Sequence, residues 1–245
     1  MLNGVQAVLY REINVFRKKA KKQILASSLS PLLFLIAFGW GFGDRVAVNG
    51  LPYILFLIPG LITMSSLNQS YSIAQEINIS RFYFHVFDEF LIAPISHIEI
   101  VFGEVLYGLF KASISVFLIF GYAFLFGVDL RISGLFFLVI LMHSFLFSLL
   151  AMTVSMLIKD HGSQAQVNTF VITPMIFLCG TFFPVDKLPA FFKVIVHCLP
   201  LTYSTQVIRA SLTGGEINFA YIGIMLIFTC TFLITALYAV RKVEA

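Results

Sequence analysis

Apolar positions along the chain fall in long blocks rather than alternating with polar ones. Residues 24–42, 53–73, 98–126, 132–158, 166–183 and 219–240 form six such blocks. They are judged against the roughly 20 apolar residues a helix needs to cross a bilayer. Ten-residue segments of alternating polarity are absent, which argues against a membrane β-barrel, and helices are the remaining way to satisfy the backbone in lipid. The pattern therefore predicts an all-α integral membrane protein with six transmembrane helices. Before the first block, Val5, Leu9, Ile13, Phe16 and Ala20 recur at helical spacing. Arg11, Arg17, Lys18, Lys19, Lys21 and Lys22 supply the polar part. Residues 1–22 thus read as an amphipathic interfacial helix or as a plain positive anchor, and both readings place it in the cytoplasm. A cleaved signal peptide is excluded, because the following apolar run is too long and lacks a small-residue cleavage site.

Two connecting segments break the block pattern. Residues 78–97 combine Phe82, Tyr83, Phe84, Phe87 and Phe90 with Arg81, His85, Asp88 and Glu89. A solvated loop has no use for five rings, whereas a helix on the membrane face or in a partner's groove does. Pro94 is expected to end that helix, since its ring removes an amide donor and clashes with the preceding turn. The second segment, 184–215, holds two apolar pieces of about ten residues, too short to cross, punctuated by Pro184, Pro189, Pro200 and Gly214-Gly215. It reads as a pair of short helices that dip into the outer leaflet and return, or as an outer loop with one lipid-facing helix.

Composition and charge set the orientation. Of 245 residues, 59% are hydrophobic, 11% are charged and 28 are Phe, against about 25% charged in a soluble domain. With the amino end inside, the inner segments hold ten Lys and Arg and the outer segments five. This bias puts both termini and the 78–97 loop in the cytoplasm. The net charge of +4 comes largely from the amino-terminal cluster and suits anionic lipid rather than nucleic acid.

Asp88-Glu89-Phe90-Leu91-Ile92-Ala93-Pro94, followed by Glu99-Ile100 and Gly103-Glu104, resembles the cytoplasmic-loop signature of ABC-2 type transporter permeases. Gly180-Thr181-Phe182-Phe183-Pro184, Leu188-Pro189, Pro200-Leu201-Thr202 and Arg209 resemble that family's second signature, before the last span. The subgroup with lipooligosaccharide and drug exporters is the nearest, with polysaccharide exporters further off. The loop here is more aromatic than the usual pattern. The resemblance implies a single transmembrane domain over residues 1–245, in a bacterial cytoplasmic (inner) membrane. It also implies a second permease copy, expected as a homodimer, and two ATP-binding subunits that hold ATP and Mg. The coupling helix toward that ATPase would carry Phe82, Tyr83, Phe84, Phe87, Asp88, Glu89 and Phe90, and the outer re-entrant hairpin Pro184, Pro189, Pro200 and Arg209. The cargo implied is an amphipathic or lipid-linked substrate, such as a glycolipid, polysaccharide or drug.

The residues agree that energy comes from elsewhere. The chain contains no Gly-x-x-x-x-Gly-Lys-[Ser/Thr] phosphate loop and no soluble stretch long enough for a nucleotide-binding domain. Polar residues inside the apolar blocks are candidates for function. Glu104, Gly108 and Lys111 share one helix face. That face would line a conduit or a dimer contact, relay ions as in a secondary transporter, or hold a Glu near the interface with a snorkelling Lys. Asn68 and Gln69 at the inner end of the second block, and Asn168 in the fifth, would line a path or bond neighbouring helices. Spans one and three are the candidates for the contact between copies, with Gly39, Gly41 and Gly43 allowing close approach in the first. The five His are scattered without metal-ligand spacing. Cys179, Cys198 and Cys230 form no CxxC, and Cys179 and Cys198 both fall toward the outside.

Overall fold

The computed structural model describes residues 2–42, 47–48, 50–85, 87–158 and 160–244. Helix α1 (Leu2–Phe42) leads by a two-stranded hairpin, Ala47–Val48 paired with Leu51–Pro52, into α2 (Tyr53–Tyr71). After it come α3 (Ile73–Phe82), α4 (Phe87–Ile92), α5 (His97–Leu125) and α6 (Gly134–Leu157). A broken helical stretch follows: α7 (His161–Val167), a π turn over Asn168–Ile172, and α8 (Thr173–Leu178). The last helices are α9 (Ala190–His197), α10 (Pro200–Thr213) and α11 (Phe219–Glu244).

Helix α2 is the hub. It is buried along most of its length and packs against α1, α5, α6 and α10. Small hydroxyls make these contacts close. Ser65 bonds Ser115 of α5 and Ser66 bonds Ser144 of α6 at 2.9 Å, and beside them His143 Nδ1 of α6 meets Ser204 of α10 at 3.0 Å. Among hydrocarbon chains such bonds and close backbone approach replace the hydrophobic drive. Helix α11 packs on α6 and α10 and leaves Ile227, Ile234 and Tyr238 exposed, as a lipid-facing helix would.

Several expectations change. Residues 1–22 and the first span are one continuous helix, about 61 Å long for its 41 residues. The polarity changes near Lys22, but no glycine or proline there breaks the backbone, and Pro31 is accommodated inside the helix. Spans one and three are not left free for a second copy along the faces they share. The amino-terminal half of α1 packs along α5, with the Gly4 amide donating to Glu99 (3.2 Å) and the Phe16 ring 5.5 Å from Phe110. A Cβ on Gly103 would meet Val8 at 2.6 Å. Gly39 abuts Ile54, Gly41 has nothing around its Cβ position, and Gly43 lies outside the described residues.

Among the described residues four helical segments are long and apolar enough to cross a membrane: Asn3–Gly39, His97–Leu125, Gly134–Leu157 and Phe219–Lys242. The count is five if α9 and α10, which meet at 88°, are one broken span. The protein is thus an all-α, multi-pass membrane protein. The expected second and fifth spans do not meet that standard. The carboxy-terminal part of α2 is Ser65-Ser66-Leu67-Asn68-Gln69-Ser70, and the fifth stretch is interrupted by its π turn and ends at Leu178.

Candidate functional site

The loop expected as one helix is two pieces. Helix α3 continues α2 after a bend at Ser72 and ends at Phe82, where the Tyr83 and Phe84 amides both donate to Ile79 O at 3.1 Å. His85, at φ 55°, then turns the chain into the six-residue α4. A helix cannot run through a residue in the left-handed region. The Ala93 amide closes α4 onto Glu89 O ahead of Pro94. Ser96 and Glu99 then cap α5 reciprocally, Ser96 N to Glu99 Oε2 at 2.8 Å and Glu99 N to Ser96 Oγ at 3.4 Å.

The rings divide accordingly. Tyr83 and Phe84 are exposed and pack edge to face, 5.0 Å between centroids. Phe82 is half-buried under the Arg81 guanidinium, and Phe90 is half-buried with Arg11 of α1 5.2 Å above it. Glu89 is exposed. The side chains of Phe87 and Asp88 lie outside the described residues.

Above this loop, α3 is bonded to its neighbours. Glu76 takes the Lys111 ammonium of α5 at 2.5 Å and the Gln23 amide of α1 at 3.0 Å. Asn78 donates to Gln164 of α7 at 2.7 Å, and Arg81 donates to Ser155 O of α6. A displacement of α3 is therefore felt at α1, α5, α6 and α7 at once. Sequence reasoning named Lys111 and missed Glu76. The available signal was that a lysine inside an apolar span needs a counter-charge, and Glu76 is the nearest acid beyond the carboxy-terminal end of the second block.

Glu104, Gly108 and Lys111 do share a face of α5, but that face is turned into the helix bundle. Lys111 is fully buried between Ser72, Glu76 and the Tyr107 ring. A Cβ on Gly108 would stand 2.2 Å from Ser148 Oγ and 3.2 Å from Ser70 O, so this position is a helix contact rather than a wall of an open path. Glu104 is buried and lines a cavity of about 180 Å³ between α1, α3 and α5. Asn68 and Asn168 come together elsewhere, in a groove of about 290 Å³ between α2–α3 and α7–α8. Asn68 is exposed and Gln69 half-buried, while Gln164 bonds both Tyr71 and Asn168 at 3.1 Å.

At the other end of the bundle α9 and α10 form the expected pair of short helices. Pro189 precedes α9, Pro200 opens α10, and Gly214, at φ 72°, ends it in the left-handed conformation that a side chain would resist. Arg209 ties the pair down. Its Nε donates to Phe56 O of α2 at 3.2 Å and its Nη2 to Gly180 O at 2.6 Å, with the guanidinium 3.7 Å above the Phe56 ring. Pro184 starts the single turn Val185–Lys187 that leads to α9. The three cysteines are free thiols, Cys179 buried and the other two exposed.

Residues 3–213 match the family model of the ABC-2 type transporter. Nodulation protein J of Rhizobium meliloti (strain 1021) is 32% identical over 218 residues, 86% of this chain and 82% of that protein. Nodulation protein J of Rhizobium leguminosarum bv. viciae is 31% identical over 231 residues, 91% of this chain and 88% of that protein. The inner membrane transport permease YadH of Escherichia coli (strain K12) is 26% identical over 215 residues, 86% of this chain and 83% of that protein.

Proposed function

The chain belongs to the ABC-2 type transporter family, and from that premise we propose that it is the permease subunit of an ATP-driven exporter. It carries an amphipathic or lipid-linked substrate, such as a glycolipid, polysaccharide or drug, outward across the bacterial cytoplasmic membrane. Two ATP-binding subunits hold ATP and Mg and supply the energy. Two permease copies, in a homodimer, enclose the path. Six spans cross the membrane with both termini in the cytoplasm, and α9–α10 dip into the outer leaflet as a re-entrant hairpin. The observation that carries this reading is the family match over most of the chain, to which the relatives named for nodulation and for inner-membrane transport add weight.

The loop around α4 is the coupling element. It offers Tyr83, Phe84, Glu89 and Ile92 to the outside, and α3 above it is bonded to four other helices. Phe87 and Asp88, on the same short helix, complete the docking surface. Asn68 and Asn168, which line one groove, and the neighbouring Gln69 face the conduit or the second copy. Burying a Phe side chain contributes roughly 1.5–3 kcal/mol. Phe84→Ala with Tyr83→Ala is therefore expected to weaken retention of the ATP-binding subunit by about tenfold or more while the permease inserts normally. Co-purification from membranes measures this, and unchanged retention with normal export would remove the coupling assignment. With the exposed Cys198 and Cys230 replaced by serine, orientation is checked separately by a cysteine at Glu216, an exposed position. It should react with an impermeant thiol reagent in intact cells, whereas one at Asn14 should not.

A further inference from the structure

The buried charges between α1, α3 and α5 do not close on themselves. Arg11 is paired with Glu12, and Lys111 with Glu76. Glu104 is left: it is 3% exposed, it lines the cavity of about 180 Å³, and among the described residues no side chain or backbone group bonds its carboxylate. A buried carboxylate without a partner is costly, and the cavity beside it exceeds the roughly 10–15 Å³ that one water needs by about tenfold.

The walls indicate what fills it. Glu12 and Glu104 are joined by the rings of Phe16 and Tyr107, which stand edge to face at 6.5 Å. Exposed Val15, Lys19 and Phe84 mark the open side. Carboxylates combined with aromatic faces are what an ammonium group needs when it leaves water. The protein uses this combination once already, next door: the Lys111 ammonium rests on Glu76 and Ser72, 5.5 Å from the same Tyr107 ring. The cavity repeats those components with no protein cation bonded to Glu104.

We propose that this cavity is a binding site for an ammonium group, brought by an amine-headgroup lipid or by a small soluble amine. It is independent of the export reading: the site lies within one protomer, and its occupant would tie α1 to α5 behind the α3–α4 loop, whatever the cargo. The purified protein would be offered equal amounts of phosphatidylethanolamine, its N-acetylated derivative and phosphatidylglycerol, with occupancy read by native mass spectrometry. Wild type should hold phosphatidylethanolamine over the N-acetylated lipid by about tenfold or more, of the order that a hydrogen bond between an ammonium and a buried carboxylate supplies. Glu104→Gln should abolish that difference. Displacement of the lipid by free ethanolamine would identify a soluble amine as a competent occupant, and failure to displace it a lipid headgroup; either supports the site. Equal occupancy by the amine and acetylated lipids in wild type overturns it. So does an undiminished preference in Glu104→Gln, which would assign the preference to other groups. Because the first comparison uses unaltered protein, the proposal is decided even if the variant folds poorly.

Discussion

Replacing Glu76 with leucine is expected to destabilise the protein more than replacing its partner Lys111 with methionine. Removing one member of a buried ion pair costs roughly 3–5 kcal/mol, because the other charge stays buried and uncompensated. The two members are not equally placed: the Lys111 side chain is 1% exposed and that of Glu76 31%. Glu76→Leu would strand the ammonium with Ser72 Oγ and a ring as its remaining neighbours, a loss toward the upper part of that range. Lys111→Met would leave a carboxylate that still reaches water and the Gln23 amide, at the lower end or below it. The double variant, with apolar groups of similar size on both sides, should recover most of the loss. Thermal midpoints in detergent for the two singles and the double give the coupling directly. Equal single effects that simply add would show that the pair is not a unit.

The second large effect is expected at Arg209. Three carbonyls, of Phe56, Gly180 and Thr181, lie within 3.5 Å of its guanidinium, and among the described residues no carboxylate pairs with it. Arg209→Met would keep the stem against Phe56 but lose the fork, at roughly 1.5–3 kcal/mol for each hydrogen bond to a charged group. The 3.5 Å contact with Thr181 is long and adds little. Arg209→Lys should recover less than half, because one ammonium does not reproduce a planar fork that addresses α2 and the 179–182 turn together. Gly60→Ala tests the same contact from the other side: its Cβ would sit 2.2 Å from Thr181 O, a backbone atom that cannot swing away. Both variants should lower the thermal midpoint and increase protease cleavage of the purified protein near Pro189. An unchanged cleavage pattern in Arg209→Met would show that the hairpin is held by its apolar contacts alone.

How much of this was legible in the sequence depends on the range of the interaction concerned. The elements with local chemistry came through: the apolar run of α5 from about residue 98, α10 between Pro200 and Gly214, and the long apolar runs of α6 and α11. The junction of residues 1–22 with the first span did not, because a change of polarity marks a change of surroundings and not a break in the backbone. The loop was misread for the opposite reason. One residue in the left-handed region, His85, divides a stretch whose five rings suggest a single helix. The partners of Lys111, Gly108 and Arg209 come from elements 35 or more residues away, or are carbonyls whose direction depends on packing. Sequence flagged these residues as out of place without showing what they meet.

The claim at the centre of this account is that force from an ATP-binding subunit enters through the α3–α4 loop. A photoreactive phenylalanine analogue at position 84, in place of an exposed ring, tests it most directly. Position 117, an exposed ring on α5, serves as the lipid-facing control. With the ATP-binding subunit present in the membrane, irradiation is predicted to give a covalent adduct of permease plus that subunit from position 84 and none from position 117. Adducts from position 84 with lipid alone, while the complex is demonstrably assembled, would contradict the account.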